Sequence, residues 1–232
     1  MTIKAVLFDF SGTLFRIEST ECWLRAVLTE ADVALPESDV IRTAEALERA
    51  GALAGGAFPA TAPTGELGDL WAIRDESAEH HRAAYTGLSR QVSLPDPALH
   101  EALYDRHMAP VAWEPYPDAA EVLAALRERG VAVGVVSNIG WDLRPVFRHH
   151  GLDPHVGTYV LSYEHGIQKP DPRLFAVACE GLGVAPEDTL MVGDQPAADG
   201  GAAALGCAVH FVDHLPAAER TDGLRPVLDL VG

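Results

Sequence analysis

The stretch Lys4–Leu14, KAVLFDFSGTL, decides the fold of this chain. Its apolar run AVLF ends in Asp9, and a polar turn that contains Gly12 and Thr13 follows. Open α/β sheets typically present reactive groups at the C-terminal ends of buried strands. We therefore expect Asp9 to lie at the carboxyl edge of a parallel sheet, with Thr13 supporting the turn.

Composition and charge exclude some classes of partner. The 232 residues suffice for one large domain or for a core with a smaller lid, and the apolar fraction of 48% is ordinary for a globular enzyme. The net charge is −17, because 34 acidic residues oppose 17 basic ones. Binding a nucleic-acid backbone requires a basic surface, so we expect no nucleic-acid partner. An anionic substrate would have to be attracted by local cations.

We expect neither a signal for export nor a membrane-spanning segment. Asp9 comes too early for the apolar region of a signal peptide, and no apolar run approaches the roughly 20 residues that cross a bilayer. The three cysteines form no CxxC pair, and an odd number gives no disulfide framework. We expect a cytoplasmic protein with no membrane partner. The sequence does not distinguish a monomer from a homodimer.

Apolar residues recur at helical spacing, without a strand pattern, from about residue 18 to residue 108. A connection of this length within a sheet is expected to fold as its own unit. We therefore predict an all-helical cap domain of residues 16–113, inserted into a core domain of residues 1–15 and 114–232. In the third helical stretch of this cap, Arg74 and His81 share a face with Trp71 and Tyr85. They either contact substrate in the cleft or are polar groups between cap helices, and we expect the other histidines at the surface.

Strands and helices alternate after about Pro115, which predicts parallel pairing with right-handed crossovers. The predicted fold class is a doubly wound parallel α/β sheet, similar to a Rossmann fold. The predicted strands cover residues 131–136, 158–161, 189–192 and 208–212, and the predicted helices cover residues 117–129, 143–150, 172–182 and 197–205.

Polar residues follow three of the predicted strands. These residues are Asp9, the pair Ser137 and Asn138, and Asp194, and Lys169 begins a helix that starts at the same edge. The carboxyl ends of parallel strands meet at one edge, so we expect these side chains to converge. Two neighbouring carboxylates raise each other's pKa unless a cation lies between them. Two aspartates with few other protein ligands are typical of a Mg²⁺ site.

Four motifs occur in order: DFSGTL from Asp9, VVSN ending at Asn138, IQKPDP around Lys169, and GDQPAAD over residues 193–199. With these motifs the sequence resembles the haloacid dehalogenase-like (HAD) hydrolase superfamily. The resemblance covers the predicted core. The helical insertion directly after the first motif is similar to the branch of that family with a helical cap.

The resemblance implies a Mg²⁺-dependent phosphatase that acts on a small phosphomonoester. Asp9 would be the nucleophile that attacks phosphorus and forms an aspartyl-phosphate. The metal would be held by the carboxylates of Asp9 and Asp194 and by the main-chain carbonyl of Ser11.

The resemblance also implies roles for the other polar residues. Ser137, together with Asn138 and nearby main-chain N–H groups, would bind the phosphate. Lys169 would bind phosphate too and offset the negative charge between phosphate and nucleophile. Asp199 would orient Lys169 or a metal-bound water, or else it caps the helix that follows.

Ser11 departs from the family pattern, because phosphatases of this family usually carry a second aspartate there. That aspartate protonates the leaving oxygen and then activates water, which a serine hydroxyl does not do near neutral pH. Loss of a general acid/base typically costs about 10²–10⁴ in rate.

Several alternatives therefore stay open. The chain is a weak phosphatase, a phosphatase that uses another acid such as Glu18 or Glu21, or a phosphate-binding protein without turnover. A further alternative is a dehalogenase-like enzyme that uses Asp9 on a carbon–halogen bond. Dehalogenases of the family are metal-independent and do not usually show the acidic pair Asp194 and Asp199.

Overall fold

The fold is built on a five-stranded parallel sheet with the first strand at its centre. The computed structural model describes residues 2–232. The strands are β1 (Ala5–Phe8), β2 (Phe15–Ile17), β3 (Trp113–Pro115), β4 (Ala132–Ser137), β5 (Thr158–Leu161), β6 (Thr189–Gly193) and β7 (Ala208–Phe211). The order in the sheet is β5-β4-β1-β6-β7, with every pairing parallel.

The central strand is apolar throughout because both faces of the sheet are covered. Val6 and Phe8 point into one hydrophobic core, and Leu7 points into the other. This alternation follows from the two-residue period of a strand. The predicted α/β fold with a parallel sheet is confirmed.

The helices lie on both faces of the sheet and in the long connection between β2 and β3. They are α1 (Thr20–Glu30), α2 (Glu37–Ala50), α3 (Gly65–Ala72), α4 (Ala78–Ser89), α5 (Leu99–His107), α6 (Ala119–Glu128), α7 (Arg144–His149), α8 (Ser162–His165), α9 (Pro172–Leu182), α10 (Pro196–Asp199) and α11 (Val227–Leu230). Helices α6 and α7 pack on the face that carries Val6, and α9 packs on the face that carries Leu7. Within residues 2–232, no helix combines the length and the apolar character that a bilayer span requires.

Helices α1–α5 and the loops between them form a segment that we call the helical insert. It begins after β2 and ends before β3, and these two short strands pair with each other in antiparallel orientation, apart from the five-stranded sheet. Within the insert, α1 packs on α2 and α5, and α4 packs on α3 and α5. The division into a core of residues 1–15 and 114–232 and a cap of residues 16–113 stays a prediction.

Two sequence expectations about elements are wrong. The helical stretch predicted to carry both Trp71 and Tyr85 is not one helix, because a 3₁₀ turn, Arg74–Glu76, separates α3 from α4. Ser77 then starts α4, since its side chain accepts a hydrogen bond from the N–H of His80. The helix predicted over residues 197–205 is only α10 followed by a 3₁₀ segment, Gly200–Leu205. Two consecutive glycines at its start disfavour an α-helix.

Candidate active site

The carboxyl edge of the sheet brings the predicted site residues together. Asp9 follows β1, Ser137 ends β4 and Asp194 follows β6. The N–H of Asp9 donates to the carbonyl of Val192 at 2.9 Å, which holds the chain in sheet geometry up to the carboxylate. Asp9, Ser137, Lys169 and Asp194 line one cavity of about 310 Å³, so the predicted convergence is found.

Lys169 lies at the centre of the polar network beneath this cavity. Its Nζ donates to Asp9 Oδ1 at 2.7 Å, to Asp199 Oδ1 at 2.6 Å and to the carbonyl of Val136 at 3.0 Å. These bonds use all three ammonium donors. Burial alone would lower the pKa of Lys169, but the carboxylates of Asp199 and Asp9 raise it. Lys169 is therefore a fixed positive charge beside the Asp9 carboxylate.

Asn138 positions Lys169. Its Nδ2 donates to the carbonyl of Lys169 at 3.0 Å, and its Oδ1 accepts from the N–H of Lys169 at 2.6 Å. The side-chain amide is thus engaged with the main chain of the lysine rather than free for a ligand. Ser137 is buried and lines the cavity, which is where a phosphate-binding hydroxyl has to lie.

Three buried carboxylates meet at this edge. Asp9, Asp194 and Asp199 each place one oxygen within 4.8 Å of the other two. Burial raises the pKa of Asp9, with Lys169 opposing the rise and the two neighbouring carboxylates adding to it. Three carboxylates against one ammonium leave an excess of negative charge, and oxygen ligands are what Mg²⁺ prefers. The residues present therefore fit a divalent cation.

Both carboxylate oxygens of Asp199 are already engaged in hydrogen bonds within the protein. Its Oδ1 accepts from Lys169, and its Oδ2 accepts from the N–H of Gln195 at 3.0 Å. Asp199 is fully buried and orients the lysine, as one of the sequence alternatives predicted. Within residues 2–232, Asp9 Oδ2 accepts no hydrogen bond, whereas both oxygens of Asp194 accept bonds that a cation would have to share or displace.

Asp194 is held by two side chains from distant parts of the chain. Thr13 Oγ1 donates to Asp194 Oδ1 at 3.3 Å, so Thr13 braces a carboxylate as well as the turn. His214 Nδ1 lies 2.6 Å from Asp194 Oδ2. Burial alone would raise the pKa of the Asp194 carboxyl, but the hydrogen bond from His214 holds it below its usual range.

Sequence reasoning missed His214 and placed it at the surface. The residue lies shortly after the end of β7. Its position after a predicted strand could have indicated that it lies at the carboxyl edge of the sheet. Its Nε2 contacts the guanidinium of Arg16. Because a carboxylate only accepts, Nδ1 carries the proton toward Asp194 and Nε2 accepts from Arg16.

Gly12 is required where the turn after β1 passes this pair. Its φ of +81° lies in the left-handed region, and a Cβ there would collide with His214 Nδ1 and the Asp194 carboxylate. Glycine supplies both the conformation and the space. The turn is also held by Arg220, which donates to the carbonyls of Gly12 and Thr13 and was not predicted from the sequence.

Ser11 points toward the helical insert. Its Oγ donates to the carbonyl of Gly55 at 3.4 Å, and the same carbonyl accepts from Arg16 at 3.0 Å. The hydroxyl lines the cavity, so the position is correct for an acid although the side chain is not one.

The alternative that Glu18 or Glu21 replaces the missing acid finds no support in the structure. Glu18 is bound by Arg106, with oxygen–nitrogen distances of 2.7 and 3.0 Å. Glu21 pairs with Arg25 at 2.9 Å on the exposed face of α1. Neither carboxylate lines the cavity that contains Asp9.

Arg74 and His81 both line the cavity, on the wall formed by the helical insert. The Arg74 guanidinium lies 4.0 Å above the ring of Trp71 and donates to the carbonyl of that residue at 2.8 Å. His81 Nδ1 is 2.8 Å from the hydroxyl of Tyr104. Burial lowers the pKa of His81 well below its usual range, so His81 is neutral while Arg74 carries a charge.

Comparison with known proteins identifies the class of this enzyme. The sequence model of the haloacid dehalogenase-like hydrolases matches residues 3–206, and the chain therefore belongs to this family of hydrolases. It is 42% identical over 113 residues to phosphoserine phosphatase of Thermus thermophilus, an alignment that covers 48% of this chain and only 42% of that protein. It is 31% identical to (S)-2-haloacid dehalogenase 4A of Burkholderia cepacia, with 88% of this chain and 80% of that protein covered.

The solved structures give the same fold. A HAD hydrolase of Bacillus subtilis, crystallised with magnesium, superposes with a TM-score of 0.68, covering 100% of this chain and 99% of that one at 17% identity. At this identity the likeness concerns the fold alone. The curated relatives include both phosphatases and dehalogenases, so the bond that this chain hydrolyses has to be argued from its site.

Proposed function

We propose that this protein is a Mg²⁺-dependent phosphatase of small phosphomonoesters. The observation that carries the proposal is the cluster of Asp9, Asp194 and Asp199 around the single ammonium of Lys169. Its excess negative charge would repel a phosphate unless a divalent cation offsets it. A dehalogenase-like site that works without metal has no need of such a cluster.

Asp9 supplies the nucleophile. One of its carboxylate oxygens forms a bond to phosphorus while the bond from phosphorus to the leaving oxygen breaks, which gives an aspartyl-phosphate. Lys169 holds Asp9 Oδ1 at 2.7 Å and thereby fixes the direction of attack. Phosphoryl transfer depends mainly on such positioning and on charge compensation.

Two further groups act on the phosphate itself. The hydroxyl of Ser137 would donate to a phosphate oxygen from the end of β4. Mg²⁺ would be held by the carboxylates of Asp9 and Asp194 and by the main-chain carbonyl of Ser11, and when bound it would supply positive charge for the phosphate oxygens.

The helical insert would select the substrate. Arg74 offers a cation at its wall of the cavity, and His81 offers a neutral ring among aromatic neighbours. A small phosphorylated molecule whose remaining part carries polar or anionic groups fits this lining. We assign the insert as the cap of the enzyme, closing over a cytoplasmic metabolite.

A screen for phosphate release tests the proposal. Purified protein is incubated with a panel of small phosphomonoesters, with Mg²⁺ and with EDTA, as wild type and as Asp9→Asn. We expect release only with Mg²⁺ and none from Asp9→Asn, because an amide oxygen is a poor nucleophile. Asp69→Asn makes the same change at an exposed carboxylate on α3 and should behave as wild type.

Three results would contradict the proposal. Phosphate release that survives Asp9→Asn excludes Asp9 as nucleophile. Release of halide from 2-haloacids that is unaffected by EDTA favours the dehalogenase alternative. That alternative is motivated by Ser11 and by the similarity to the Burkholderia dehalogenase. Binding of phosphate or Mg²⁺ with no turnover on any ester identifies a binding protein.

A further inference from the structure

A carboxyl group that the proposed mechanism does not yet use lines the same cavity. Asp75 lies in the 3₁₀ turn between α3 and α4, and only 3% of its surface is exposed. Within residues 2–232 its carboxylate accepts no hydrogen bond, and its nearest cationic or imidazole groups are Arg74 Nη2 at 3.4 Å and His81 Nε2 at 3.7 Å. Burying a carboxyl without a hydrogen-bond donor lowers the stability of the fold. Such a group therefore calls for an explanation, and a functional role is one.

The main chain of Asp75 is fixed by residues from the sheet side of the cavity. Ser162 Oγ donates to the carbonyl of Asp75 at 2.5 Å, and the N–H of Asp75 donates to Gln168 Oε1 at 3.3 Å. Gln168 directly precedes Lys169 and also donates to the carbonyl of Ala72 at 2.8 Å. The turn is therefore tied to the loop that delivers the lysine to Asp9.

The surroundings of Asp75 favour its protonated form. Burial raises the pKa of Asp75, while Arg74 and Lys169 oppose the rise. The other titratable groups near it, the neutral imidazole of His81 and the hydroxyls of Tyr85 and Tyr104, bring no positive charge to offset burial. A carboxyl that keeps its proton at higher pH than a surface aspartate suits proton donation.

The direction in which the phosphoryl group is transferred to Asp9 determines where the leaving oxygen lies and hence where a proton donor is needed. The attacking and leaving oxygens lie roughly in line through phosphorus. The leaving oxygen is therefore on the side away from Asp9, toward the part of the cavity that the helical insert lines. Ser11 has no proton to give there near neutral pH, whereas Asp75 is a carboxyl in that wall.

We propose that Asp75 is the general acid and base of this enzyme, in place of the carboxylate missing at Ser11. The inference rests on the proposed phosphatase activity. As the bond from phosphorus to the leaving oxygen breaks, that oxygen takes the Asp75 proton and departs as an alcohol. Water then attacks phosphorus, gives its proton to the Asp75 carboxylate and displaces Asp9, so both aspartates return to their starting states and phosphate is released.

The test compares two leaving groups in Asp75→Asn. One substrate is the best alkyl phosphate from the screen, whose alkoxide requires a proton, and the other is 4-nitrophenyl phosphate, whose phenolate leaves unprotonated. We expect kcat/KM for the alkyl ester to fall by about 10²–10⁴. The rate of the first turnover of the aryl ester should change by less than about tenfold, because nitrophenolate leaves without a proton. Hydrolysis of the aspartyl-phosphate should be slow without its base, so the first turnover should appear as a burst of nitrophenolate.

Two further variants separate chemistry from folding. Asp75→Glu keeps the carboxyl and should recover part of the alkyl-ester activity, and it also carries the test if the asparagine variant does not fold. Glu76→Gln removes the neighbouring carboxylate of the same turn, which does not line the cavity, and should leave both substrates unchanged.

The outcomes distinguish the two proposals. Equal losses on the alkyl and the aryl ester in Asp75→Asn, or no loss on either, overturn the role of Asp75 and leave the phosphatase proposal intact. A wild type without phosphatase activity overturns both. A burst with the aryl ester together with a large loss on the alkyl ester supports Asp75.

Discussion

The hydroxyl of Ser11 stands where a proton donor is expected, and its surroundings indicate what a carboxyl would do there. Ser11 Oγ donates to the carbonyl of Gly55 at 3.4 Å. A carboxyl in its place would face this acceptor, and hydrogen bonding to an acceptor favours the protonated form. The position is thus suited to an acid that this chain does not carry.

Ser11→Asp should therefore raise turnover on alkyl phosphates. We expect a gain of up to about tenfold in kcat, because a second carboxyl can share the proton transfers with Asp75. The measurement is kcat and KM on the alkyl and aryl esters. Ser11→Asn is the control, since it has the same shape without an acidic proton, and an equal gain from both variants would attribute the effect to shape.

Residues at strand ends could be predicted from the sequence, and residues brought in by loops could not. Asp9, Ser137 and Asp194 each follow an apolar run whose end is visible in the sequence. His214 lies in a loop and Asp75 in a three-residue 3₁₀ turn, both too short of periodic pattern for the sequence to predict where the side chains point. Their places at the wall of the cavity depend on loop geometry, which a single sequence does not specify.

The turn that follows β1 and carries Gly12 and Thr13 is held by Arg220. Arg220 Nη1 donates to the carbonyls of Gly12 at 2.5 Å and Asp213 at 2.9 Å, and its Nη2 donates to the carbonyl of Thr13. Its guanidinium lies 3.2 Å above the ring of Tyr116. Arg220 is 208 residues from Gly12 in the chain, which explains why the sequence did not reveal the contact.

Removing this arginine should weaken both the fold and the turn. Arg220→Met leaves buried carbonyls without donors, and we expect a loss of about 2–4 kcal/mol in the free energy of unfolding. Urea denaturation measures it. Arg220→Lys keeps the charge but not the planar fork, so it should recover only part of the loss. Arg42→Met, at an exposed arginine of α2, should change stability by less than about 0.5 kcal/mol. A similar effect from both methionine variants would contradict a specific role for Arg220.

Strands and helices whose apolar residues form a clear pattern could be predicted from the sequence, and very short elements could not. Strands such as β5 and helices such as α9 match the predicted ranges, because an apolar run or a helical stripe with clear ends defines them. Strands β2 and β3 have three residues each, too few for a two-residue period to be recognised. The break between α3 and α4 depends on the capping of Ser77, which a continuous apolar stripe conceals.

Across the whole molecule, the cavity is completed by contacts between the sheet region and the helical insert. Ser162 Oγ accepts from the N–H of Ile139 at 2.9 Å and donates to the carbonyl of Asp75 at 2.5 Å. One hydroxyl thus joins the loop after β4 to the wall of the insert. The sequence predicted two regions but not the side chains that connect them, because those contacts involve residues far apart in the chain.

The insert also carries buried histidines, which link the stability of the whole molecule to pH. His107 is fully buried beside Tyr104 and Trp141, and neither ring nitrogen has a hydrogen-bond partner within the described chain. Burial lowers the pKa of His107 to about 3. The expectation that such histidines lie at the surface is wrong, because a neutral imidazole packs among aromatic rings.

The sign of the pH effect follows from this lowered pKa. Below pH 6.5, the usual value for histidine, the unfolded chain takes up a proton at His107 that the folded chain does not accept until about pH 3. The contribution of His107 to stability is therefore complete above pH 6.5 and is lost as the pH falls. One such proton corresponds to a slope of about 1.4 kcal/mol per pH unit in the free energy of unfolding.

His107→Phe should flatten this acid dependence. Phenylalanine fills the same aromatic site without a titrating group, so between pH 6 and pH 4.5 the variant should lose stability less steeply than wild type, by about 1.4 kcal/mol per pH unit. Urea unfolding of both proteins at several pH values gives the difference. The comparison cancels the contributions of His81 and of the site carboxylates, which both proteins retain. Parallel stability curves would mean that the folded protein already accommodates a protonated His107.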